Sequence, residues 1–263
     1  MNNNNLRVEA PAWTSTLDGV SVIIPAYDEE NGIELTIRSV HDVFRRAGFK
    51  NCEVVVVDDG SSDLTGERAR HAGARVVEHP HNVGYGRSLK DGITAAQYDT
   101  IVIADADGTY PVERISDLLQ QYVRGFDMAV GQRTGNHYRE SAIKAPLRHI
   151  LKFLVEYTAG RKIPDINSGL RVFSRATVLP YFQHLCDTFS FTTSLTLAYM
   201  LTGKFVTYVP ISYHERIGRT KVRLFRESLR TLQYIVQAII YYNPLKIFLM
   251  MSALCLLFAL FCT

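Results

Sequence analysis

Three short acidic segments in this 263-residue chain each follow an apolar run that is typical of a buried β-strand. They contain Asp28 with Glu29, Asp58 with Asp59, and Asp105 with Asp107. An aspartate after a strand often only caps the following helix. Three such segments on one sheet would instead bring their carboxylates together, and a cation must then offset the repulsion. Carboxylate oxygens favour Mg²⁺ or Mn²⁺, which usually also bind phosphate oxygens, so the pattern predicts a metal site for a diphosphate-bearing ligand.

The apolar runs alternate with segments of helical periodicity, which is typical of an α/β protein. The predicted strands cover residues 21–24, 53–57, 75–77, 100–104 and 127–131, and helical spacing recurs over 33–44, 83–97 and 115–122. Continuous apolar strands separated by helices indicate a mostly parallel sheet that is covered on both faces. Ligands of such sheets bind beyond the carboxyl ends of the strands. The three acidic segments are therefore expected to meet at one edge of the sheet.

The composition fits one large globular domain or two small ones, since 47% of the residues are hydrophobic and 21% are charged. A formal net charge of +3 gives no global basic field, so nucleic-acid binding is not expected. The four cysteines and eight histidines show none of the spacings of zinc sites. The cysteine pattern is also unlike that of a disulfide scaffold, which favours a reducing compartment.

The character of the chain changes after residue 135. Amphipathic helices are predicted over residues 141–158 and 224–241, and basic residues lead into the second of them. These are Arg216, Arg219, Lys221, Arg223, Arg226 and Arg230. A solvated helix face is one interpretation of this cluster. Its position just before an apolar tail favours the other, contact with anionic lipid headgroups.

Residues 247–263 carry no charge and predict a transmembrane helix. The alternative is an apolar helix that is buried in an oligomer. Because the basic residues lie on the amino-terminal side of this segment, the positive-inside rule places the preceding part of the chain in the cytoplasm.

Several motifs occur in an order that resembles the inverting family-2 glycosyltransferases, which have the GT-A fold, a Rossmann-like nucleotide-diphospho-sugar transferase domain. The first motifs are PAYDEE, VVVVDDGSSD and IADADG. The later motifs, VGQRTG, IPDINSGLRVF and YHERIGRTK, are followed by amphipathic helices and an apolar segment. This combination is similar to the polyprenyl-phosphate glycosyltransferases, such as the dolichol-phosphate mannose synthases. The resemblance covers residues 20–242.

The resemblance implies roles for particular residues. The nucleotide sugar would be held by Pro25, Ala26, Tyr27, Glu29, Val57, Asp59, Asp105, Ala106, Asp107 and Arg133. Asp105 and Asp107 would also bind the metal, and together with Arg133 and Asp165 they would form the catalytic set. The phosphate of a lipid acceptor would be bound by Arg133, Arg148, Arg216 and Lys221.

This chain departs from the family pattern at two points. Some relatives carry Gln two residues after the second aspartate of the metal motif, where this chain has Thr109. The spacing from Arg216 to Lys221 is one residue shorter than in the mannose synthases. The first departure concerns metal coordination from position 109. The second concerns the assignment of Lys221 to the lipid phosphate.

The resemblance also divides the chain into four parts. Residues 1–19 form a disordered or extended lead, and residues 20–213 form the GT-A catalytic domain. Residues 214–243 form a basic juxtamembrane amphipathic segment. Residues 244–263 form a C-terminal transmembrane helix, which ends within an apolar run and so suggests a truncated segment.

The implied reaction is inverting transfer of a sugar from GDP-mannose or a UDP-sugar to a polyprenyl phosphate, either dolichyl or undecaprenyl. It would take place at the cytoplasmic face of the cell membrane or, in a eukaryote, of the endoplasmic reticulum membrane. Mg²⁺ or Mn²⁺ would be the cofactor and membrane lipids the partners, with no nucleic acid and with homo-oligomerisation left open. Because a phosphate monoester is largely deprotonated at neutral pH, this reaction needs no strong general base, and none is evident.

Three alternatives stay open. A family-2 transferase with a glycan or other hydroxyl acceptor would need a general base, for which Asp165 is the candidate. A catalytically silent, membrane-anchored partner would keep the fold without the chemistry, and the intact Asp105 and Asp107 argue against it. A nucleotidyltransferase would usually open with a glycine-rich GxGxRL segment, whereas the first strand here runs into PAYDEE.

Two further patterns are weaker. Processive synthases of the family usually carry QxxRW, but the single tryptophan of this chain is Trp13 and lies in no such motif. The segment Gly84-Tyr85-Gly86 lacks the third glycine of a dinucleotide-binding fingerprint. We interpret that segment as the sharp start of a helix.

Overall fold

The computed structural model describes residues 10–134, 153, 155–157, 159–214, 232–234, 236–238, 240–242 and 244–262. In this part of the chain, seven strands form one sheet. They are β1 (Val20–Ala26), β2 (Cys52–Asp58), β3 (Arg75–Glu78), β4 (Thr100–Ile103), β5 (Met128–Thr134), β6 (Arg171–Ser174) and β7 (Val206–Ser212). Their order across the sheet is β3-β2-β1-β4-β6-β5-β7.

Helices connect and cover these strands. The α-helices are α1 (Trp13–Thr16), α2 (Ile33–Arg46), α3 (Thr65–His71), α4 (Tyr85–Ala95), α5 (Ile115–Tyr122), α6 (Arg175–Val178), α7 (Phe191–Leu201) and α8 (Pro244–Cys262). Short 3₁₀-helices cover Val112–Arg114 and Leu179–His184. The five strands and three helices that the sequence predicts before residue 135 are all present, with boundaries shifted by a few residues.

The sheet is mostly parallel, as predicted. Strands β3, β2, β1 and β4 run parallel to one another, and β5 is parallel to β7. Strand β6 is antiparallel to both of its neighbours, β4 and β5. Because β1, β2 and β4 run in the same direction, the three acidic segments that follow them begin at the same edge of the sheet.

Both faces of the sheet are covered, and alternate residues of β1 show this directly. Val22 and Ile24 belong to the buried cluster that includes helix α2, whereas Ile23 belongs to the cluster on the other face, with Leu89 and Ile93 of α4. All five side chains have no exposed surface. Period-two alternation with both sets buried is typical of a central strand in a doubly covered sheet.

A glycine sets the distance between α4 and the sheet. A Cβ atom at Gly92 would lie 2.5 Å from Cγ2 of Ile23 and 2.9 Å from Cγ2 of Val57. Since real side chains do not approach so closely, α4 can rest on β1 and β2 at this distance only because residue 92 has no side chain. This packing fixes the amino terminus of α4 near the edge where β1 and β2 end.

Of the lead over residues 1–19 that was predicted to be disordered or extended, the structure describes residues 10–19, and these include the short helix α1. Trp13, in α1, is fully buried, and its ring packs against Phe44 and Phe49 with centroid distances of 5.8 and 5.1 Å. Its indole Nε1–H donates to Oγ of Ser116 at 3.0 Å. A polar stretch with one large aromatic residue gives no periodic signal, and a single indole in the core is enough to hold α1 in place.

The two amphipathic helices predicted after residue 135 lie only partly within the described residues. Of the first, residues 153 and 155–157 are helical. Of the second, residues 232–234, 236–238 and 240–241 are helical. The basic cluster from Arg216 to Arg230 lies outside the described residues.

Helix α8 occupies the predicted apolar tail and is 19 residues long. Across the described ranges, however, no helix combines the length and the apolar character that a membrane crossing requires. The prediction of a transmembrane helix over residues 244–263 is therefore not supported.

We expect Trp13→Ala to destabilise the protein by about 3–5 kcal/mol, because it leaves a cavity against Phe44 and Phe49 and removes the donor to Ser116. Urea unfolding followed by circular dichroism measures this change. Leu35→Ala is the matched control, since Leu35 on α2 is 59% exposed. Equal effects of the two substitutions would contradict the assignment of Trp13 to the core.

Candidate functional site

A cavity of about 380 Å³ lies at the edge of the sheet where β1, β2 and β4 end. Eight residues of the predicted nucleotide-sugar set line it, namely Pro25, Ala26, Tyr27, Glu29, Asp59, Asp105, Ala106 and Asp107. Of the other two, Val57 is fully buried within β2 and Arg133 lies near the end of β5. The structure thus brings side chains from all three acidic segments to one cavity.

The segment after β1 is tied to the segment after β2 by hydrogen bonds. The amide of Asp28 donates to Oγ of Ser61 at 2.9 Å, and the amide of Ser62 donates back to Oδ1 of Asp28 at 2.8 Å. The amide of Glu29 donates to Oγ1 of Thr65 at 2.8 Å. Asp28 has a φ of 48°, a left-handed conformation that is uncommon outside glycine. These bonds hold Asp28 in that conformation and fix the wall that carries Tyr27 and Glu29.

The two aspartates at the end of β2 have different roles. Oδ1 of Asp58 accepts the amide of Ser61 at 3.0 Å, which is the capping interaction common after a strand. Asp59 is 3% exposed and accepts the amides of Val83 and Gly84, each at 2.9 Å. Asp59 therefore fixes the loop that precedes α4 as well as lining the cavity.

Asp105, the first aspartate of the DAD turn after β4, is held from two sides. The hydroxyl of Tyr85 donates to Oδ1 of Asp105 at 2.9 Å. Burial, and then the nearby Asp105 carboxylate, raise the pKa of Tyr85 well above its usual value, so the phenol keeps its proton and remains a donor. On the other side a Cβ at Gly169 would lie 2.7 Å from Oδ2 of Asp105. Only glycine at position 169 leaves room for this carboxylate.

Asp107, the second aspartate of the turn, is also buried and lines the same cavity. Its Oδ1 accepts the amide of Thr109 at 3.1 Å and the Thr109 hydroxyl at 2.6 Å. Thr109 stands where some relatives have Gln. Here its side chain orients Asp107, which limits its own use as a metal ligand.

The two aspartates of the turn suit a divalent cation that phosphate and water also coordinate. Within the part of the chain that the structure describes, no group of three or more His, Cys, Asp or Glu side chains could hold a metal ion. Mg²⁺ is typically bound through one or two carboxylates, with substrate phosphates and water completing the octahedron. Asp105 and Asp107 fit that donor set.

Arg133 and Asp165, both predicted to be catalytic, form a bidentate ion pair. Nε of Arg133 donates to Oδ2 of Asp165 and Nη2 donates to Oδ1, both at 2.8 Å. Burial alone would raise the pKa of Asp165, but the hydrogen bonds and charge of Arg133 outweigh it and lower that pKa below its usual value. Asp165 is therefore an ionised carboxylate with both oxygens engaged, and a poor proton acceptor at neutral pH.

A buried arginine shapes the turn that carries Asp165 and Gly169. Arg171 is fully buried, and it donates from Nε to the carbonyl of Ser168 at 2.7 Å and from Nη2 to the carbonyl of Ile166 at 2.8 Å. These two carbonyl oxygens, together with Oγ1 of Thr196 at 2.7 Å from Nη1, satisfy the buried guanidinium. The turn that carries the two carbonyls places Gly169 against Asp105 and Asp165 against Arg133.

Of the predicted lipid-phosphate residues, only Arg133 lies within the described residues, and Arg148, Arg216 and Lys221 do not. The described stretch that ends at His214 nevertheless lies beside the DAD turn. The amide of His214 donates to the carbonyl of Thr109 at 2.9 Å, two residues beyond Asp107. Arg216 follows His214 by two residues in the sequence.

The sequence interpretation missed several residues that line the cavity. They are Asn82, Gly84, Tyr85, Ser88 and Phe189. The helix does start sharply at Gly84-Tyr85, as predicted, with Gly84 at a φ of 111°. Tyr85 also stacks on Phe189, with ring centroids 5.4 Å apart. The glycines on either side of Tyr85 were the available signal, since such pairs often allow a close backbone approach.

A larger cavity of about 900 Å³ lies between α4, the 3₁₀-helix Leu179–His184 and helical residues near 234–242. Its cationic side chains are paired with carboxylates: Arg87 binds Asp91 at 2.7 Å and Lys90 binds Asp187 at 2.6 Å. None of the DAD carboxylates reaches it. The smaller cavity is therefore the better candidate site.

Comparison with known proteins agrees with the motifs. The family model "Glycosyl transferase family 2" matches residues 21–181. A dolichyl-phosphate hexose transferase of Haloferax volcanii is 29% identical over 211 residues, which cover 80% of this chain and 89% of that protein. An undecaprenyl-phosphate 4-deoxy-4-formamido-L-arabinose transferase of Edwardsiella ictaluri is 27% identical over 238 residues, covering 88% and 70%.

A solved structure has a similar fold. Glucosyl-3-phosphoglycerate synthase of Mycobacterium tuberculosis, in complex with Mn²⁺, UDP-glucose and phosphoglyceric acid, superposes with a TM-score of 0.71 at 21% identity, covering 88% of this chain and 82% of that one. This likeness confirms the predicted GT-A-like α/β fold. Since the family model matches more than half of the sequence, the chain belongs to glycosyl transferase family 2.

Proposed function

We propose that this glycosyltransferase moves a sugar, with inversion, from a nucleotide-sugar donor (GDP-mannose or a UDP-sugar) to a polyprenyl phosphate. One observation carries the proposal. Asp105 and Asp107 line the same cavity as Tyr27, Glu29 and Asp59. The cavity thus offers carboxylates for a metal-bound diphosphate together with an aromatic ring and acceptors for a nucleoside.

Asp105 and Asp107 would hold Mg²⁺ or Mn²⁺. The cation would neutralise the charge that develops on the leaving nucleoside diphosphate. Tyr85 and Thr109 orient the two carboxylates through the hydrogen bonds described above. Because Thr109 is buried and the ring of Tyr85 stacks on Phe189, the carboxylates are set in place before the nucleotide sugar binds.

The state of Asp165 supports a phosphate acceptor over a hydroxyl acceptor. A hydroxyl nucleophile needs a general base, and the only candidate named from the sequence has both oxygens bound to Arg133. The second pKa of a phosphate monoester is ~6, so its oxygen is already a nucleophile at neutral pH. The names of the relatives from Haloferax and Edwardsiella point to the same class of acceptor.

We assign the acceptor phosphate to Arg133, Arg148, Arg216 and Lys221. The position of His214 beside Thr109 supports this for Arg216, because the chain enters the basic segment next to the DAD turn. The bidentate geometry of arginine suits phosphate oxygens.

The acceptor is a membrane lipid, so we place the reaction at the cytoplasmic face of the cell membrane or, in a eukaryote, of the endoplasmic reticulum membrane. Exposed apolar side chains on α8 support contact with a lipid surface. Phe248, Leu256 and Phe258 are 61%, 66% and 71% exposed. Apolar surface of this kind gains free energy when it leaves water.

The first test is Asp107→Asn, which keeps the shape of the side chain but removes its charge. We expect sugar transfer to fall by at least about 100-fold, because the charge on the leaving diphosphate is no longer neutralised. The assay uses membranes that contain the protein, Mn²⁺ or Mg²⁺ and a panel of labelled nucleotide sugars, followed by lipid extraction. Asp117→Asn is the control, because Asp117 is half-buried on α5, pairs with Arg114 and does not line the cavity. Labelled lipid at the wild-type level from Asp107→Asn would refute the metal assignment, and label only in glycan would refute the acceptor.

A second test addresses Tyr85. In Tyr85→Phe the ring can still stack on Phe189, but the hydroxyl that donates to Asp105 is lost. We expect the Mn²⁺ concentration for half-maximal activity to rise about tenfold, because a hydrogen bond to a charged group contributes about 1.5–3 kcal/mol. Tyr181→Phe removes a hydroxyl that bonds Thr202 instead, and should leave the metal dependence unchanged. An unchanged metal dependence in Tyr85→Phe would show that the bond to Asp105 does not support metal binding.

A third test addresses the ion pair. Asp165→Asn leaves Arg133 largely buried without a counter-charge, and we expect a loss of about 3–5 kcal/mol in the free energy of unfolding at pH 7. Because the pKa of Asp165 is lowered from 3.8 in the folded protein, its contribution is present above pH 3.8 and is lost as the pH falls through the lowered value. Urea unfolding at pH 7 and near pH 3 measures the difference between variant and wild type. A difference that is the same at both pH values would contradict a charged pair.

A further inference from the structure

His79, which the proposed reaction does not use, lies between two carboxylates. Its Nδ1 is 2.8 Å from Oδ1 of Asp59, and its Nε2 is 3.2 Å from Oδ2 of Asp91. The imidazole side chain is only 11% exposed. Because an ionised carboxylate can only accept hydrogen bonds, Nδ1 carries the proton and donates to Asp59.

The position of His79 is fixed by its backbone and by its bond to Asp59, and α4 lies beside its ring. Its amide donates to the carbonyl of Asp58 at 2.9 Å, which continues the pairing of β2 with β3 by one residue. On the outer side, Asp91 is held by Nε of Arg87 at 2.7 Å. The imidazole is therefore oriented before any ligand arrives.

His79 and the following loop use most of the hydrogen-bonding capacity of Asp59. A carboxylate offers about four lone-pair positions, two on each oxygen. Among the residues that the structure describes, Oδ1 accepts from His79 and Val83, and Oδ2 accepts from Gly84. Oδ1 is thus filled and Oδ2 has one position left, on a carboxylate that lines the donor cavity.

One remaining acceptor position matches some nucleobases better than others. In a uridine nucleotide, uracil has a single ring N–H with a carbonyl on each side. It therefore needs only one acceptor position on a carboxylate. Guanine presents a ring N–H beside an exocyclic amino group, and these two donors pair with both oxygens of one carboxylate. Here that arrangement would require Oδ1, which His79 and Val83 already occupy.

We infer that His79 is a positioning residue that leaves Asp59 a single acceptor position for the base, and that the site therefore prefers uridine over guanosine diphosphate donors. The inference rests on the proposed function, since it assumes that the cavity holds the nucleoside of a nucleotide sugar. It deepens that function by naming the class of donor.

The test measures binding of UDP and of GDP to the full chain by calorimetry with Mn²⁺. We expect the wild-type protein to bind UDP at least about tenfold more tightly than GDP. His79→Leu removes one of the two donors to Oδ1 and leaves the amide of Val83 in place. It should weaken UDP binding about tenfold and reduce the preference for UDP over GDP, because Asp59 is held less firmly and Oδ1 regains an acceptor position. His79→Asn should restore most of the UDP affinity and most of the preference for UDP, since its amide nitrogen corresponds to Nδ1. His71→Leu, at an exposed position on α3, is the matched control.

Kinetics separate positioning from general damage to the fold. In His79→Leu the KM for the donor should rise with kcat nearly unchanged, and the midpoint of thermal unfolding identifies any loss of folded protein. Equal binding of UDP and GDP by the wild type, or failure of His79→Asn to differ from His79→Leu, would overturn the inference. Labelled lipid formed from GDP-mannose with a GDP preference would overturn it while leaving the proposed function intact. UDP preference without any labelled lipid would refute the proposed acceptor and leave the inference standing.

Discussion

The crowding of carboxylates at the ends of three parallel strands is the constraint on which the rest of this structure depends. Like charges at short range raise the free energy of the folded state unless donors or cations surround them. The protein supplies a different donor to each one: loop amides and an imidazole to Asp59, the phenol of Tyr85 to Asp105, and Thr109 to Asp107. The close packing of α4 at Gly92 and the turn around Arg171 bring these donors within hydrogen-bonding distance of the carboxylates. A nucleoside diphosphate with its cation then completes the charge balance in the proposed reaction.

The sequence predicted the strands and helices before residue 135, the three acidic segments and their convergence, because these follow from local periodicity and from the direction of parallel strands. It did not predict the order of the strands across the sheet. Contacts between distant residues were not predictable in the same way. The Arg133–Asp165 pair joins residues 32 apart, and it forms only because β6 enters the sheet antiparallel between β4 and β5. Strand β6 has only four residues, two of them apolar, and so short a pattern does not show in which direction a strand runs. The burial of Trp13 and the bond from His79 to Asp59 likewise depend on tertiary packing, which no periodic pattern records.

The Arg133–Asp165 pair also changes how both residues are understood. Considered singly, a carboxylate near the reaction centre is a candidate base and an arginine is a candidate phosphate ligand. Considered as a pair, Asp165 fixes the plane and direction of a guanidinium that stacks 5.5 Å from the ring of Tyr213. Arg133 would thus contact a phosphate in a fixed orientation. The role of the Asp165 carboxylate is to hold the guanidinium in that orientation. The same logic applies to Arg171, whose charge is buried entirely in support of a turn.

The left-handed residue at the end of β1 has a thermodynamic consequence for ligand recognition. Asp28 is held at a φ of 48° by reciprocal bonds to Ser61 and Ser62, so two neighbouring connections are locked to each other. Such a conformation costs of order 1–3 kcal/mol and is offset when the chain folds. The entropy of ordering this wall is therefore lost during folding and not at each encounter with a small molecule. A nucleoside would bind to a wall that is already ordered. Its affinity would then reflect the contacts it makes, with little entropy lost by the protein on binding.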